Sequence, residues 1–346
     1  MTPPRSPEPP DHRRAHGPIR TLAIVVALVS LLVPVTATAG PAERTPTVTT
    51  VVTGLQGASG STIGPDGALY VVEGAVGAIT RIDRETGAAE TWATGLPTAV
   101  AGIGGVVDVA FLDGVAHALV TLVGVDVDES SDTRVGLYRM EAVDEWTVLA
   151  DLGAHAQANP PPDDLDVMVA SGVHFALETW RGGFLVTDGH LNRLLSISAE
   201  GDVDGFLQLD NVVPTGLEAR GNDVLVALAG PVPHDPADGR VVDVGHHDGA
   251  MREVARGAPL LVDVEFGRGH DLFGLAQGEF VPGTTPGFPP LPATGSLMVV
   301  RDGQFVDVVG PLDLPTSLEV VGGTAWIVTL TGTVLRVDDA AAPPGR

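Results

Sequence analysis

A short unit, repeated along the chain, restricts the fold more than any other feature of the sequence. Its clearest copy begins with the turn 64–67 (GPDG) and continues with short apolar strands over 69–73, 78–83 and 90–93. Proline presets the turn backbone and glycine accepts a positive φ, so this pattern is typical of strands joined by tight turns. No convincing helical periodicity follows Thr47, and we therefore predict an all-β protein.

The unit recurs at intervals of about 40–60 residues, the range that indicates propellers or solenoids. Five further inner strands are predicted at 106–111, 173–177, 215–219, 262–266 and 316–320. The last copy has only three strands, whereas the strand 47–52 has no partner at the other end of the chain. We predict a six-bladed β-propeller over residues 40–339, whose last blade is completed by that N-terminal strand, followed by a short flexible tail, 340–346.

The first 39 residues have the order of a signal peptide. Four arginines precede an apolar run over 22–35, and the small residues Ala37 and Ala39 follow it. The run is shorter than the roughly 20 residues that a membrane-spanning helix needs. We expect cleavage after Ala39 and a secreted protein, extracellular or periplasmic, with no membrane span. Retention of the segment as an anchor is the alternative.

Charge and cysteine content exclude several classes of function. The 346 residues carry 44 acidic side chains against 19 basic ones, all arginine, for a net charge of −25. The negative electrostatic field of such a chain repels nucleic acids and anionic lipids. The absence of lysine excludes lysine Schiff bases. The absence of cysteine excludes disulfides and thiolate chemistry. Cationic partners or metal ions fit better, although the acidic surface can equally serve solubility alone.

Three segments carry a family resemblance: 64–74 (GPDGALYVVEG), 186–198 (VTDGHLNRLLSIS) and 314–338. They resemble the ScyD/ScyE family of exported bacterial proteins, over about residues 47–338. The resemblance implies an NHL-like propeller of six blades and supplies no activity. The acidic insertion around 125–133 departs from the family pattern, so a pigment-specific role is not transferred. More distantly, the strands are similar to gluconolactonase/regucalcin-type propellers and streptogramin lyases, in which metal or catalytic residues gather at the central channel.

The starts of the inner strands are natural ligands for anything bound in a propeller channel. In our alignment this ring consists of Ser61, Asp108, His174, Gly216, Asp263 and Ser317. Asp108 and Asp263 are three units apart, so we expect them to face each other and to be able to hold a divalent cation, Ca²⁺ or Mg²⁺. His174 is the candidate general acid or base. Alternatively, the two aspartates hydrogen-bond neighbouring backbone amides and join the blades.

Glu73 and Asp188 end second strands, where our alignment places apolar or small residues in the other units. Those residues are Leu122, Leu228, Ala276 and Leu330. Both acids are candidate metal ligands, and both can equally begin a turn. The NHL-like turn 188–193, the acidic segment 126–132 and the motif 246–248 (HHD) are interpreted as structural or surface features.

Two functions are compatible with this sequence. The first is a non-catalytic exported module of the ScyD/ScyE type that binds a small molecule, a polysaccharide or a protein through the loops 157–166, 231–238 and 277–294. The second is a metal-assisted lactonase, hydrolase or lyase at the channel, with Asp108 and Asp263 holding the ion and His174 moving protons. The sequence favours the first, and we expect a monomer.

Overall fold

The computed structural model describes residues 45–100, 102–125, 127–128, 131–162, 169–231, 238–244, 251–281 and 289–341. The chain divides into the units Met1–Ala42 and Glu43–Arg346, and the described residues belong to the second unit. The predicted signal peptide 1–39 and the motif 246–248 lie outside the described residues.

The described part of the chain contains 24 strands and one short helix, α1 (Leu152–Ala158). The strands are β1 (Thr47–Val52), β2 (Ala58–Ile63), β3 (Leu69–Glu73), β4 (Ala78–Ile82), β5 (Ala89–Ala93), β6 (Gly105–Leu112), β7 (Val115–Thr121), β8 (Gly136–Ala142), β9 (Glu145–Asp151), β10 (His174–Trp180), β11 (Gly183–Asp188), β12 (Arg193–Ile197), β13 (Val203–Gln208), β14 (Pro214–Arg220), β15 (Asp223–Leu228), β16 (Arg240–Val244), β17 (Met251–Arg256), β18 (Leu261–Phe266), β19 (Leu272–Ala276), β20 (Gly295–Arg301), β21 (Gln304–Leu312), β22 (Pro315–Val321), β23 (Thr324–Thr329) and β24 (Val334–Asp338). The all-β prediction is confirmed.

These strands form a propeller-like arrangement of antiparallel sheets. Four sheets have four strands each, in the orders β2-β3-β4-β5, β6-β7-β8-β9, β10-β11-β12-β13 and β1-β24-β23-β22. The strands β14 to β21 form one eight-stranded sheet, in which two antiparallel groups of four meet through a single parallel pair, Arg256 with Gln304. The strands β2, β6, β10, β14, β18 and β22 each contact the next, and β22 contacts β2, so these inner strands surround a common axis.

The predicted pairing of the two ends of the domain is confirmed. Strand β1 pairs antiparallel with β24, from Thr47 opposite Asp338 to Val52 opposite Val334. Backbone pairing therefore covers the edge that β24 would otherwise expose. Near the other end, Ala340 is fully buried and its amide donates to the Gly323 carbonyl at 3.0 Å, so the packed chain extends into the predicted tail.

Burial is highest in the second strand of each group of four and lowest in the outer strand. All five residues of β3 are buried, whereas three of the five residues of β5 are exposed. Apolar side chains such as Leu119, Leu137 and Phe184 are fully buried between neighbouring sheets. Because the sheets pack face to face around the axis, hydrophobic burial holds them together without disulfides.

A bulge near the start of each inner strand determines which side chains lie at the same level of the channel. The register shifts between Ala58 and Ser61 in β2, and between His174 and Leu177 in β10. Equivalent shifts occur in β6, β14, β18 and β22. An alignment by sequence spacing alone misses such shifts, because a bulge adds residues to one strand without extending its partner. Within the described ranges, no helix is long and apolar enough to cross a membrane.

Candidate functional site

The strand register defines two rows of residues around the channel. In five inner strands, one residue pairs with the position two before the end of the neighbouring second strand, as Leu177 does with Val186. In β6 the equivalent residue is Val109, which pairs with Ala118, three positions before the end of β7. The residues just before these reference positions form the aspartate row: Gly60, Asp108, Ala176, Gly216, Asp263 and Ser317. The residues just after them form the glutamate row: Thr62, Ala110, Glu178, Glu218, Glu265 and Glu319.

The expected ring of strand-start residues was wrong at two of its six positions. Ser61 lies one residue beyond the aspartate row, where its hydroxyl is 2.8 Å from that of Ser317. His174 lies two residues before the row, opposite Asp188. The bulge in β10 separates His174 from Asp108 and Asp263, so His174 does not complete their row.

Asp108 and Asp263 join neighbouring inner strands through backbone amides. Asp108 accepts from the Val109 amide at 2.8 Å and from the Leu177 amide of the next sheet at 2.7 Å. Asp263 repeats the arrangement, with the Val264 amide at 2.9 Å and the Leu318 amide at 2.7 Å. Both oxygens of each carboxyl group are therefore engaged by the backbone. This geometry fits the alternative in which the aspartates join the blades.

Neither aspartate belongs to a cluster of metal ligands among the described residues. The described residues contain no group of three or more His, Asp or Glu side chains placed to hold a metal ion. Burial raises the pKa of Asp108 well above its usual range, and the neighbouring Asp263 raises it further. Burial likewise raises the pKa of Asp263 to about 7. Because burial disfavours the ionised carboxyl group, both sites favour a bound proton over a bare negative charge.

Two glycines make room for these aspartates. A Cβ atom on Gly60 would collide with the Asp108 carboxyl group, and one on Gly216 would collide with that of Asp263. Gly60 and Gly216 occupy the same row in opposite inner strands, so the arrangement occurs twice around the axis. Glycine is required here because the carboxyl groups lie directly against the neighbouring backbone.

The glutamate row was missed by the sequence alignment. Burial raises the pKa of Glu178 to about 8, and nearby Asp108 and Asp263 raise it further. Burial also raises the pKa of Glu218 to about 9, with a contribution from Glu178. The pKa values of Glu265 and Glu319 are raised well above their usual range by burial and by acids of both rows. Six carboxyl groups thus share the channel.

Glu73, at the end of β3, is held by hydrogen bonds within its own sheet and the preceding loop. It accepts from the Gln56 amide at 2.7 Å and from the Thr80 hydroxyl at 2.5 Å, and its side chain is buried. The strand register places Glu73 and Asp188 level with Val120, Leu228, Ala276 and Thr329. The sequence alignment was wrong in placing Leu122 and Leu330 at this level.

A second group of polar side chains surrounds His174, where the loop before β10 meets the turn after β11. Asp188 accepts from the amides of Val173 and Leu191 at 3.1 Å each and from Arg193 Nε at 3.2 Å. Arg193 Nη1 also donates to the Asn159 carbonyl at 2.7 Å. The predicted structural role of the turn 188–193 is consistent with these bonds.

His174 and Arg193 have unused hydrogen-bonding atoms in this group. His174 is 1% exposed, and its Nε2 lies 3.9 Å from Asp188 Oδ2, beyond hydrogen-bond distance. Neither ring nitrogen of His174 nor Nη2 of Arg193 has a hydrogen-bond partner among the described residues. Burial lowers the pKa of His174, an effect that Asp188 opposes and that Arg193 and His155 reinforce. The imidazole is therefore neutral at pH 7.

Comparison with known proteins identifies the fold class. No protein-family model and no curated protein sequence matches the chain. The PQQ-bound form of an aldose sugar dehydrogenase from Streptomyces coelicolor is 13% identical with a TM-score of 0.58, over 86% of this chain and 99% of that chain. A gluconolactonase from Xanthomonas campestris is 13% identical with a TM-score of 0.56, over 84% of this chain and 89% of that chain.

A lyase is among the similar structures as well. A catalytically inactive histidine-to-alanine variant of virginiamycin B lyase from Staphylococcus aureus, with quinupristin, is 13% identical with a TM-score of 0.52. The match covers 85% of this chain and 99% of that chain. At such identities the likeness establishes a β-propeller fold and nothing finer about the site.

Proposed function

We propose that this chain is an enzyme that transfers protons at His174, of the lactone-hydrolase or lyase type. One observation carries the proposal: a buried, neutral imidazole has no partner for either ring nitrogen and lies beside a carboxylate and a guanidinium with an unused N–H group. Leaving buried polar atoms unpaired costs about 1–3 kcal/mol each. Such atoms are uncommon in folded proteins and call for an explanation, such as a bound water or ligand or a catalytic role.

The three side chains supply complementary chemistry. The neutral imidazole of His174 can accept a proton from a water molecule or from a carbon next to a carbonyl group. Arg193 Nη2 can donate to a carbonyl oxygen that gains negative charge during the reaction. Asp188 positions the guanidinium and favours the protonated imidazole once it forms. In lactone hydrolysis the proton taken from water passes to the leaving ring oxygen, which gives a hydroxy acid.

The similar structures support an enzyme more than a non-catalytic module. They include a gluconolactonase, a sugar dehydrogenase and a lyase, and the lyase is represented by an inactive histidine-to-alanine variant. A channel cation held by Asp108 and Asp263 is a second proposal, favoured by the six carboxyl groups around the axis. Calcium or magnesium would then bind as bound protons leave.

The wider interpretation of the chain is also a proposal. We count the eight-stranded sheet as two blades joined at their outer edges, which makes six blades in all. We further propose, from the sequence, membership of the ScyD/ScyE family, export through the segment 1–39 and a monomeric secreted enzyme.

The test compares two buried histidines. We expect His174→Ala to lower kcat/KM for a hydrolysed lactone or an eliminated lactone-containing substrate by at least about 100-fold. His117→Gln is the matched control, because His117 is likewise buried (3% exposed) and has a lowered pKa, yet its Nδ1 lies 3.0 Å from the Val115 carbonyl. The control should retain activity.

The pH profile separates catalysis from folding. Because burial lowers the pKa of His174, kcat/KM should rise with pH through a value below 6.5 and then remain level. Activity is measured on a panel of five- and six-membered lactones, with and without Ca²⁺, Mg²⁺ and a chelator. A folded His174→Ala protein with wild-type activity would contradict the proposal. Activity lost with the chelator, and in Asp108→Asn but not in His174→Ala, would favour the channel cation instead.

A further inference from the structure

A polar groove lies between the sheet β2–β5 and the sheet that contains β23 and β24. Its volume is about 390 Å³, within the usual range of small-ligand pockets. The turn after β2, the turn after β4 and the outer parts of β23 and β24 form its walls. It shares no lining residue with the His174 group.

Most carboxylates in the groove already have partners. Asp66 accepts from the Ala68 amide at 3.1 Å and from Arg81 Nε at 2.7 Å. Asp338 pairs with Arg336, whose Nη2 lies at 3.0 Å. Asp83 is engaged within its own turn, where one oxygen accepts from the amides of residues 85 and 86 and from the Thr86 hydroxyl.

Arg84 differs from the other two arginines of the groove. Its Nε donates to the Gly67 carbonyl at 2.5 Å, which fixes the guanidinium against the wall. No carboxylate of the described residues pairs with Arg84, although the chain has 44 acids for 19 arginines. An ordered guanidinium without a carboxylate is a ready partner for an anionic group of a ligand.

Trp326 also lines this groove, and its indole has an unused donor. Its side chain is 3% exposed and forms part of the lining. The indole N–H is buried and has no acceptor among the described residues. A buried indole N–H usually finds a partner, so this donor is an independent indication of a ligand with acceptor groups.

We propose that this groove binds a polyhydroxylated monocarboxylate, such as a uronic or aldonic acid. Arg84 takes the carboxylate, and hydroxyl groups bond to the remaining N–H groups of Arg81 and Arg336 and to the free lone pairs of Asp338. The Trp326 side chain lines the groove beside the ligand. Phosphate fits less well, because the lining carries three arginines and four acids, Asp66, Asp83, Glu85 and Asp338, which oppose a dianion.

Binding is tested with sodium D-glucuronate, D-glucose and inorganic phosphate by titration calorimetry. We expect glucuronate to bind and glucose and phosphate to bind at least about tenfold more weakly, since a charge-assisted hydrogen bond contributes about 1.5–3 kcal/mol. Arg84→Gln should weaken glucuronate binding by about tenfold or more. Arg252→Gln, which removes an exposed arginine paired with Asp243, is the matched control and should leave it unchanged.

A second measurement on the unmodified chain keeps the proposal testable if Arg84→Gln fails to fold. The chain has four tryptophans, so their indole N–H signals can be followed by NMR. Glucuronate should shift the signal of Trp326 and leave that of Trp180, whose buried N–H is also unpartnered, in place. No shift at Trp326, equal binding by Arg84→Gln, or a preference for phosphate would overturn the proposal. None of these readouts depends on catalysis at His174.

Discussion

At the scale of single residues, the channel aspartates act through the backbone of the neighbouring sheet. The Leu177 and Leu318 amides belong to buried residues, and each has an aspartate oxygen 2.7 Å away. If the carboxyl group is removed, the amide N–H is left in a site that another acceptor does not readily enter. The penalty is that of an unpaired buried group, about 1–3 kcal/mol.

We therefore expect Asp263→Ala to lower the free energy of unfolding by about 1–3 kcal/mol, and Asp108→Ala to do the same. Asp263→Asn should lose less, because its remaining carbonyl oxygen can still accept from one amide. Urea denaturation at pH 7 measures the effect, and Asp204→Ala, at an exposed position in β13, should change stability by less than about 0.5 kcal/mol. Unchanged stability in both alanine variants would show that the amides find other partners.

Site residues could be predicted where sequence spacing sets their position, and could not be predicted where a bulge sets it. Asp108 and Asp263 were found because sequence spacing brings them to equivalent strand starts. The glutamate row also left a signal, since a glutamate follows an apolar residue in HFALE, PTGLE, LVDVE and PTSLE, which end at residues 178, 218, 265 and 319. The level of His174 could not be predicted, because it depends on the bulge in β10.

At the scale of elements, strand composition and turns were enough to predict the repeated sheets. Pro-Asp-Gly and similar turns set the hairpins, and the pairing of 47–52 with the last unit followed from an unmatched strand at each end. The parallel pair of β17 with β21 had no sequence signal, since it joins the outer edges of two consecutive groups through one residue pair, Arg256 with Gln304. Non-local pairing of this kind depends on packing rather than on local propensity.

Strand β1 offers a direct test at this scale. Deletion of residues 40–53 removes the backbone pairing along β24 and the contacts of Val51 and Val52 with the buried cluster that contains Trp326 and Val334. We expect the melting temperature to fall by at least about 5 °C, because the loss of several hydrogen bonds and apolar contacts amounts to a few kcal/mol. Deletion of residues 1–39 alone is the control. An unchanged melting temperature in the shorter protein would contradict a closing role for β1.

At the scale of the whole molecule, the carboxyl groups of the channel couple folding to pH. Glutamate has an ordinary pKa of 4.5, and the folded protein raises the pKa to about 8 at Glu178 and about 9 at Glu218. Between pH 4.5 and the raised pKa of each glutamate, the unfolded chain has released the proton that the folded chain retains. Folding therefore takes up protons, and the unfolding free energy falls as pH rises, by up to about 1.4 kcal/mol per pH unit for each proton retained.

We accordingly expect the protein to be most stable near pH 5 and to lose stability steadily from pH 5 to 9, measured by urea denaturation at constant ionic strength. The buried histidines 117 and 174 act in the opposite sense, because burial lowers their pKa values, but their contribution ends by about pH 6.5. Glu218→Gln should flatten the decline, since glutamine keeps the shape of the protonated acid and cannot ionise. A wild-type stability that stays level between pH 7 and 9 would mean that the row is already ionised in the folded state. A level stability confined to buffers that contain Ca²⁺ would indicate a cation that replaces the protons.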